Sequence, residues 1–248
     1  MNHTKIDWAD MTWNPVSGCY HNCPYCYAAK FAKRFQCKDT ECRRIQLSLV
    51  QETKQPIVKI NKKDGAYPFG FVPTFHRYRL EEPLKRKKPQ NIFVCSMADL
   101  FGEWVPDKWI KQVFEACMAA PKHRYLFLTK NPDRYDDFFR CWEAPENFYF
   151  GTTVVNDQQD FYRSGMNNAF LSIEPIQSDF SCDCLADTNW VIIGAETGNR
   201  KGKITPKREW VENIVNYCRE KNVPVFIKSS LKDIWGEPLI QEYPWEKL

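Results

Sequence analysis

The 248 residues suffice for one large domain with a substantial core, and 43% apolar against 27% charged residues is an ordinary globular balance. A formal net charge of +4 permits a nucleic-acid partner without arguing for one, and no apolar run is long enough to span a membrane. Met1 to Asp10 lacks the make-up of an export signal, and eleven cysteines, an odd number in a chain this large, fit a reducing, cytoplasmic setting and metal binding better than a disulfide scaffold.

A short β-prone run, Met11 to Val16, opens the regular structure. A cysteine-bearing loop follows it, and Ala28 to Phe35 reads as helix. Pro24 suits the start of that helix, where a missing N–H costs little. Residues 37–90 are the least regular part. Gln46 to Gln55 reads as a short strand or helix, and Gly65, Pro68, Gly70 and Pro73 mark turns. This stretch is expected to be an irregular basic insertion within a single domain spanning 1–248.

From Asn91 onward the pattern is regular. Ile92 to Cys95 is a run of the buried-strand kind. Pro106 to Ala120 reads as helix, with Trp109, Ile110, Val113, Phe114 and Cys117 on one face. Tyr125 to Leu128 is the next strand, followed by a helix from Pro132 to about Trp142. Strand Phe148 to Thr152 precedes a polar helix around Asp157 to Arg163. Ala169 to Ile173 and Trp190 to Ile193 are further strands. Lys207 to Lys221 is a helix with Trp210, Ile214 and Tyr217 on one side, and Val223 to Ile227 is the last strand. Strands alternating with helices imply an α/β fold with parallel crossovers, about seven βα units in all.

The chemistry-bearing stretch is Gly18-Cys19-Tyr20-His21-Asn22-Cys23-Pro24-Tyr25-Cys26-Tyr27, with three cysteines at C-x3-C-x2-C spacing. Three thiolates on one tight loop suit three corners of an iron–sulfur cube and leave its fourth metal position open. The alternatives are a zinc knuckle completed by His21 or a distant cysteine, and three unrelated thiols. Zinc pairs usually read C-x2-C in two separated halves, and only one half is visible here.

The spacing, with Tyr25 before the last cysteine, resembles the cluster loop of the radical S-adenosylmethionine (radical SAM) superfamily. Trp13-Asn14-Pro15-Val16, Gly18-Cys19, Cys26-Tyr27-Ala28, Ser96 to Phe101, Phe127-Leu128-Thr129-Lys130, Gly151-Thr152-Thr153, Ser172-Ile173-Glu174-Pro175 and Gly194 to Gly198 follow in order between Trp8 and Trp235. As a set they resemble a phage-associated family of radical-SAM-like proteins, a domain of unknown function. Many of its members carry a longer spacer before the final cysteine pair, whereas this chain has the compact superfamily spacing. The resemblance implies a partial (β/α) TIM-like barrel with about six to seven parallel strands.

In such barrels the chemistry sits at the C-terminal ends of the strands. Those positions hold Cys19, Cys23 and Cys26; Ser96, Met97 and Asp99; Thr129 and Lys130; Thr152 and Thr153; Glu174; Glu196 and Thr197; and Lys228 and Ser229. The resemblance implies that Cys19, Cys23 and Cys26 ligate a 4Fe-4S cluster whose open iron chelates S-adenosylmethionine. Tyr25 would lie near the adenine. Ser96, Met97 and Asp99 stand where relatives contact the methionyl amine, although the usual glycine-rich form of that loop is absent. Thr152 and Glu174 would contact ribose or methionyl, and Ile173 and Ala195 would offer backbone to the adenine. Cys95, Glu196 and Lys228 are the candidate catalytic side chains, Cys95 being read either as a buried core thiol or as a hydrogen-atom donor. An electron donor such as flavodoxin or ferredoxin is implied.

Of the other cysteines, Cys117, Cys141 and Cys218 read as helix packing residues. The pairs Cys37/Cys42 and Cys182/Cys184 are candidates for a second metal site, although C-x-C fits zinc poorly. His3, His76 and His123 show no partner pattern, and His21 is expected to be exposed. Lys85, Arg86, Lys87 and Lys88 form a basic run that is either a solvated face or a contact for a phosphate-bearing substrate. The expected function is therefore cleavage of S-adenosylmethionine to a 5′-deoxyadenosyl radical that abstracts hydrogen from a substrate, with a nucleotide or nucleic acid as the leading class. The competing readings are a non-catalytic zinc- or cluster-bearing nucleic-acid-binding protein and a radical enzyme acting on a peptide or protein.

Overall fold

The computed structural model describes residues 1–36, 57–59, 66–67, 69–139, 142–159, 168–180, 185 and 188–246. The element expected over Gln46 to Gln55, the turn residues Gly65 and Pro68, Cys141 and the second-metal candidates Cys37, Cys42, Cys182 and Cys184 lie outside the described residues. The chain divides into two compact units, one of Met1–Lys5 and Ala9–Phe127, the other of Ile6–Trp8 and Leu128–Leu248.

The first unit contains β1 (Asn2–His3), β2 (Met11–Trp13), β3 (Val16–Ser17), helix α1 (Tyr27–Arg34), β4 (Ile57–Lys59), β5 (Thr74–His76), β6 (Asn91–Val94), helix α2 (Asp107–Met118) and β7 (Arg124–Thr129), whose last two residues pass into the second unit. β2 is parallel to β6 (Trp13 opposite Val94) and β6 to β7 (Ile92 opposite Tyr125), while β1 is antiparallel to β2. A small second sheet joins β3 antiparallel to β5, and β5 parallel to β4.

Apolar spacing locates α2 correctly: Trp109, Ile110, Val113, Phe114 and Cys117 are all buried. The Phe114 ring packs with Phe101 and Phe127, meeting Phe127 edge-on at 5.4 Å. Pro106 is the residue before the first turn, and Asp107 places a carboxylate at the positive end of the helix dipole. α1 starts later than Pro24 suggested. Pro24 and Tyr25 form a turn, and Cys26, in extended backbone conformation, takes the cap position with its Sγ accepting from Ala29 N at 3.4 Å.

The second unit contains α3 (Arg134–Phe139), β8 (Phe148–Val154), β9 (Ala169–Ile173), β10 (Val191–Ile193), α4 (Arg208–Glu220), β11 (Val225–Ile227) and the short α5 (Lys232–Trp235). β8, β9, β10 and β11 are successive parallel neighbours. Every residue in them is buried, as a parallel sheet covered on both faces requires. Like β2, β6 and β7 in the first unit, they form a parallel run, the largely parallel α/β architecture expected from the sequence.

Four local expectations change. Strand β8 runs two residues further, so Thr152 and Thr153 lie inside it and not beyond its end. Asp157 and Gln158 form a turn, with Asn156 Oδ1 accepting from Gln158 N at 3.1 Å, and residues 160–163 of the polar helix expected there lie outside the described residues. The helix after Pro132 is the shorter α3. The buried face of α4 is Val211, Ile214, Val215 and Cys218, with Trp210 and Tyr217 at its margin. No helix among the described residues is long and apolar enough to cross a membrane.

Candidate metal and ligand site

The cysteine loop leaves β3 through Gly18, whose φ of +89° is a conformation that favours glycine. Space demands glycine as well: a Cβ there would lie 2.3 Å from the Val72 carbonyl oxygen. Gly18 N donates to Met97 O at 2.8 Å and Cys19 N to Phe71 O at 3.2 Å. Asn22 takes a positive φ of 53°, which asparagine tolerates, and Cys26 N closes the far side onto Cys23 O at 3.1 Å. The loop is thus tied down by backbone at both ends. Cys19, Cys23 and Cys26 all carry free, half-buried thiols.

Burial pushes the Cys19 thiol up to about 12. A backbone hydrogen bond at His21 opposes this, and the negative charge of Asp99, Cys23 and Cys26 adds to it. Three thiolates near one another are mutually unfavourable in the bare protein, and a cationic metal centre relieves that repulsion. Among the described residues, no three His, Cys, Asp or Glu side chains are gathered closely enough to share one metal ion. By donor chemistry, three thiols on one short loop suit a cube in which each would bind a different iron.

The turn after β6 supports the loop. Cys95 has a φ of +61°, and the chain bends there into Ser96–Asp99. Its thiol is fully buried, held by the backbone of Val16 and pushed up to about 12 by burial. Asn14 Oδ1 accepts from Ser96 Oγ at 3.2 Å and from Met97 N at 2.9 Å. Tyr27 Oη donates to Ser96 O at 2.8 Å. The Met97 side chain packs against Ala28, Ala32 and Tyr67, so its backbone is what borders the loop. Tyr25 is half-buried in the turn before α1.

His21 is not exposed as expected. Its Nε2 lies 2.8 Å from Asp99 Oδ2, and its ring meets Trp104 edge-on at 4.9 Å. Asp99 Oδ1 accepts from Phe101 N at 3.0 Å, so the carboxylate is committed to holding the loop. His76 and His123 also have partners, Ser17 Oγ at 2.7 Å and the Pro83 carbonyl at 3.0 Å. Sequence reading missed Asn14, His21 and Trp104 as supports. Asn14 and Asp99 both sit inside motifs it had singled out, which is the signal that was available.

In the second unit, Glu174 and Lys228 directly follow β9 and β11 and form an ion pair with each other. Gly194 lies beside the pair: a Cβ there would be 2.9 Å from Lys228 Cδ and 3.3 Å from the Glu174 side chain. Ala195 N donates to Ser230 Oγ at 3.0 Å. Glu196, buried, accepts two hydrogen bonds from the Arg200 guanidinium at 2.7 and 2.8 Å. Ile173 and Thr152 are buried strand residues. Thr129 Oγ1 accepts from Asn131 N at 2.9 Å, and Ser229 N donates to Asp7 at 2.6 Å. Charged and polar groups therefore gather at the ends of β9, β10 and β11.

The basic run is partly committed within the chain. Lys85 pairs with Glu81, and Arg86 donates to Met1 O at 2.7 Å, while Lys87 and Lys88 are exposed. A cleft of about 770 Å³ lined by Phe75, Trp109, Arg77, Lys108 and Lys111 contains none of the expected site residues.

A family profile described as "Protein of unknown function (DUF5131)" matches residues 3–239. No curated protein matches the sequence. Solved structures of spore photoproduct lyase are similar in fold. One, complexed with dinucleoside spore photoproduct, superposes with a TM-score of 0.54 at 9% identity, covering 91% of this chain and 78% of that one. A mutant of the same lyase gives 0.55 at 10% identity with the same coverage. A double mutant with bound AdoMet and dinucleoside spore photoproduct gives 0.52 at 10% identity, again with the same coverage. At such identities the likeness shows the fold, a largely parallel α/β sheet similar to that of the lyase.

Proposed function

The chain belongs to the DUF5131 family, and from that premise we propose that it is a radical SAM enzyme acting on a nucleotide or nucleic acid. The observation that carries the reading is the set of three free thiols, Cys19, Cys23 and Cys26, on one loop between β3 and the N-terminus of α1. Cys19, Cys23 and Cys26 would hold a 4Fe-4S cluster. When bound, the cluster supplies the electron that cleaves S-adenosylmethionine to methionine and the 5′-deoxyadenosyl radical that takes hydrogen from substrate.

The chain's own residues hold and orient. Gly18, Asn14 and the His21–Asp99 contact fix the loop against the turn after β6. Cys26 at the N-cap, its Sγ accepting from Ala29 N, fixes the third thiol where the loop enters α1. The Glu174–Lys228 pair offers a carboxylate and an ammonium for the charged ends of an amino acid, and the backbone of Ile173 and Ala195 is the candidate surface for the adenine. The fold likeness to a lyase with a structure that holds AdoMet and dinucleoside spore photoproduct supports both the cofactor and the substrate class.

The test is anaerobic reconstitution with iron and sulfide, reduction, and addition of S-adenosylmethionine. A reduced-cluster electron paramagnetic resonance signal that shifts with S-adenosylmethionine, with 5′-deoxyadenosine formed, is the expected result. Zinc in place of iron, with no effect of S-adenosylmethionine, would replace this reading with a structural-metal one.

A further inference from the structure

Helix α1 turns only alanines to the core. Ala28 and Ala32 are buried, whereas Tyr27, Phe31 and Phe35, four residues apart, are 54%, 43% and 53% exposed. Phe31 meets Tyr67 edge-on at 6.0 Å, yet it and Phe35 remain exposed along one helical stripe, a patch that folding alone does not require. The Phe31 and Phe35 centroids lie 4.7 Å apart, so the two rings make a continuous ledge. Tyr27 is pinned to Ser96 O, and Tyr20 on the cysteine loop is 50% exposed.

Charge accompanies the rings. Lys30, Lys33 and Arg34 are exposed, none has an ion-pair partner among the described residues, and Tyr27–Arg34 contains no carboxylate. At 100° per residue, Arg34 and Lys30 border the ring stripe on the side away from the alanines. Cations beside exposed ring faces are the combination that grips an unpaired nucleic-acid strand, phosphates on the cations and bases on the rings. A duplex hides its base faces and leaves the rings without a partner.

We infer that this face of α1 is the docking surface for a single-stranded nucleic acid, which it holds next to the cysteine loop through the shared residue Cys26. The inference rests on the nucleic-acid substrate class proposed above and assigns that class a place. The basic run is the weaker alternative, since two of its four cations are already engaged.

The experiment is fluorescence anisotropy of the full chain with a labelled oligothymidylate, over a salt series, alongside the same oligonucleotide in duplex form and anionic phosphatidylserine vesicles. Phe35→Ala, whose ring packs only at the surface stripe, should weaken single-strand binding about tenfold and leave the salt slope unchanged. The double variant Lys30→Gln/Arg34→Gln should reduce the slope by about 1.4, at about 0.7 per phosphate contact. Lys87→Ala/Lys88→Ala should do neither.

Absence of single-strand binding, duplex bound equally well, an equal loss in the Lys87/Lys88 control, or binding to vesicles only would each overturn the inference. Iron content and 5′-deoxyadenosine formation, measured on the same samples, separate the two claims. A chain that loads iron and cleaves S-adenosylmethionine but binds oligothymidylate independently of α1 retains the enzymatic reading and loses this one. A chain that binds through α1 without ever loading iron does the reverse.

Discussion

His21 Nε2 and Asp99 Oδ2 stand 2.8 Å apart, and this contact ties the middle of the cysteine loop to the turn that follows β6. Asp99 is buried and its second oxygen accepts from Phe101 N. Asp99→Ala removes both acceptors at once, at a cost of about 1–3 kcal/mol. Less than half of the iron should be retained after reconstitution, and the urea midpoint should fall. Asp99→Asn keeps an acceptor for Phe101 N and should retain most of both. Full iron loading and unchanged stability in the alanine variant would show that the contact positions nothing.

Gly18 and Gly198 separate space from backbone strain. Both have positive φ, +89° and +85°, but a Cβ at Gly18 strikes the backbone of Val72 and Pro73, whereas one at Gly198 meets nothing within 4 Å. Gly18→Ala should therefore cost more than about 2 kcal/mol, and Gly198→Ala only about 1 kcal/mol. Urea unfolding of the two variants checks this, and equal losses would mean that the Val72 contact relaxes freely.

The elements with strong periodicity were legible in the sequence. The five apolar positions of α2 announced a buried stripe, and the apolar run of β6 announced a buried strand. What the sequence could not show were contacts between residues far apart in the chain. His21 meets Asp99 across 78 positions and Ser17 meets His76 across 59, and neither pair leaves a local pattern. Boundaries moved where a side chain competed with the backbone: Cys26 took the cap of α1, and Asn156 holds Asp157 and Gln158 in a turn. The α1 rings were missed for a different reason. Tyr27, Phe31 and Phe35 read as ordinary apolar residues until their exposure is known.

Stability should fall in two steps on acidification. Burial lowers the His123 pKa despite the opposing hydrogen bond to the Pro83 carbonyl, so the fold favours the neutral ring. Its contribution is present above the ordinary histidine value of about 6.5 and is lost as pH falls through the lowered one. Glu242 titrates further down. Burial pushes its carboxyl up, but the hydrogen bonds from Arg219 and Val225 and the Arg219 charge outweigh that and hold it below the usual range. Its contribution is present above about 4.3 and is lost as pH falls through the depressed value. Melting temperature measured from pH 8 to 3 should show both declines. His123→Phe should flatten the upper limb only, and Glu242→Gln the lower only.

The Glu174–Lys228 pair gives the sharpest separation of structure from chemistry. The two side chains are 28% and 14% exposed, so removing one charge leaves a partly desolvated partner. Lys228→Met should destabilise by about 1–3 kcal/mol, below the fully buried case because water still reaches Glu174. Glu174→Gln should cost less, since the amide still accepts from the ammonium. In the double variant no charge remains, so the two losses should not add, and the coupling should be about 1 kcal/mol or more. Iron loading should stay at the wild-type level in all three, because the cysteine loop draws its supports from Asn14, Phe71, Met97 and Asp99. S-adenosylmethionine cleavage should fall in each single variant and should not return in the double, even where stability does. Recovery of cleavage together with stability would mean that the pair only braces the ends of β9 and β11, and that the charged groups which meet S-adenosylmethionine lie elsewhere.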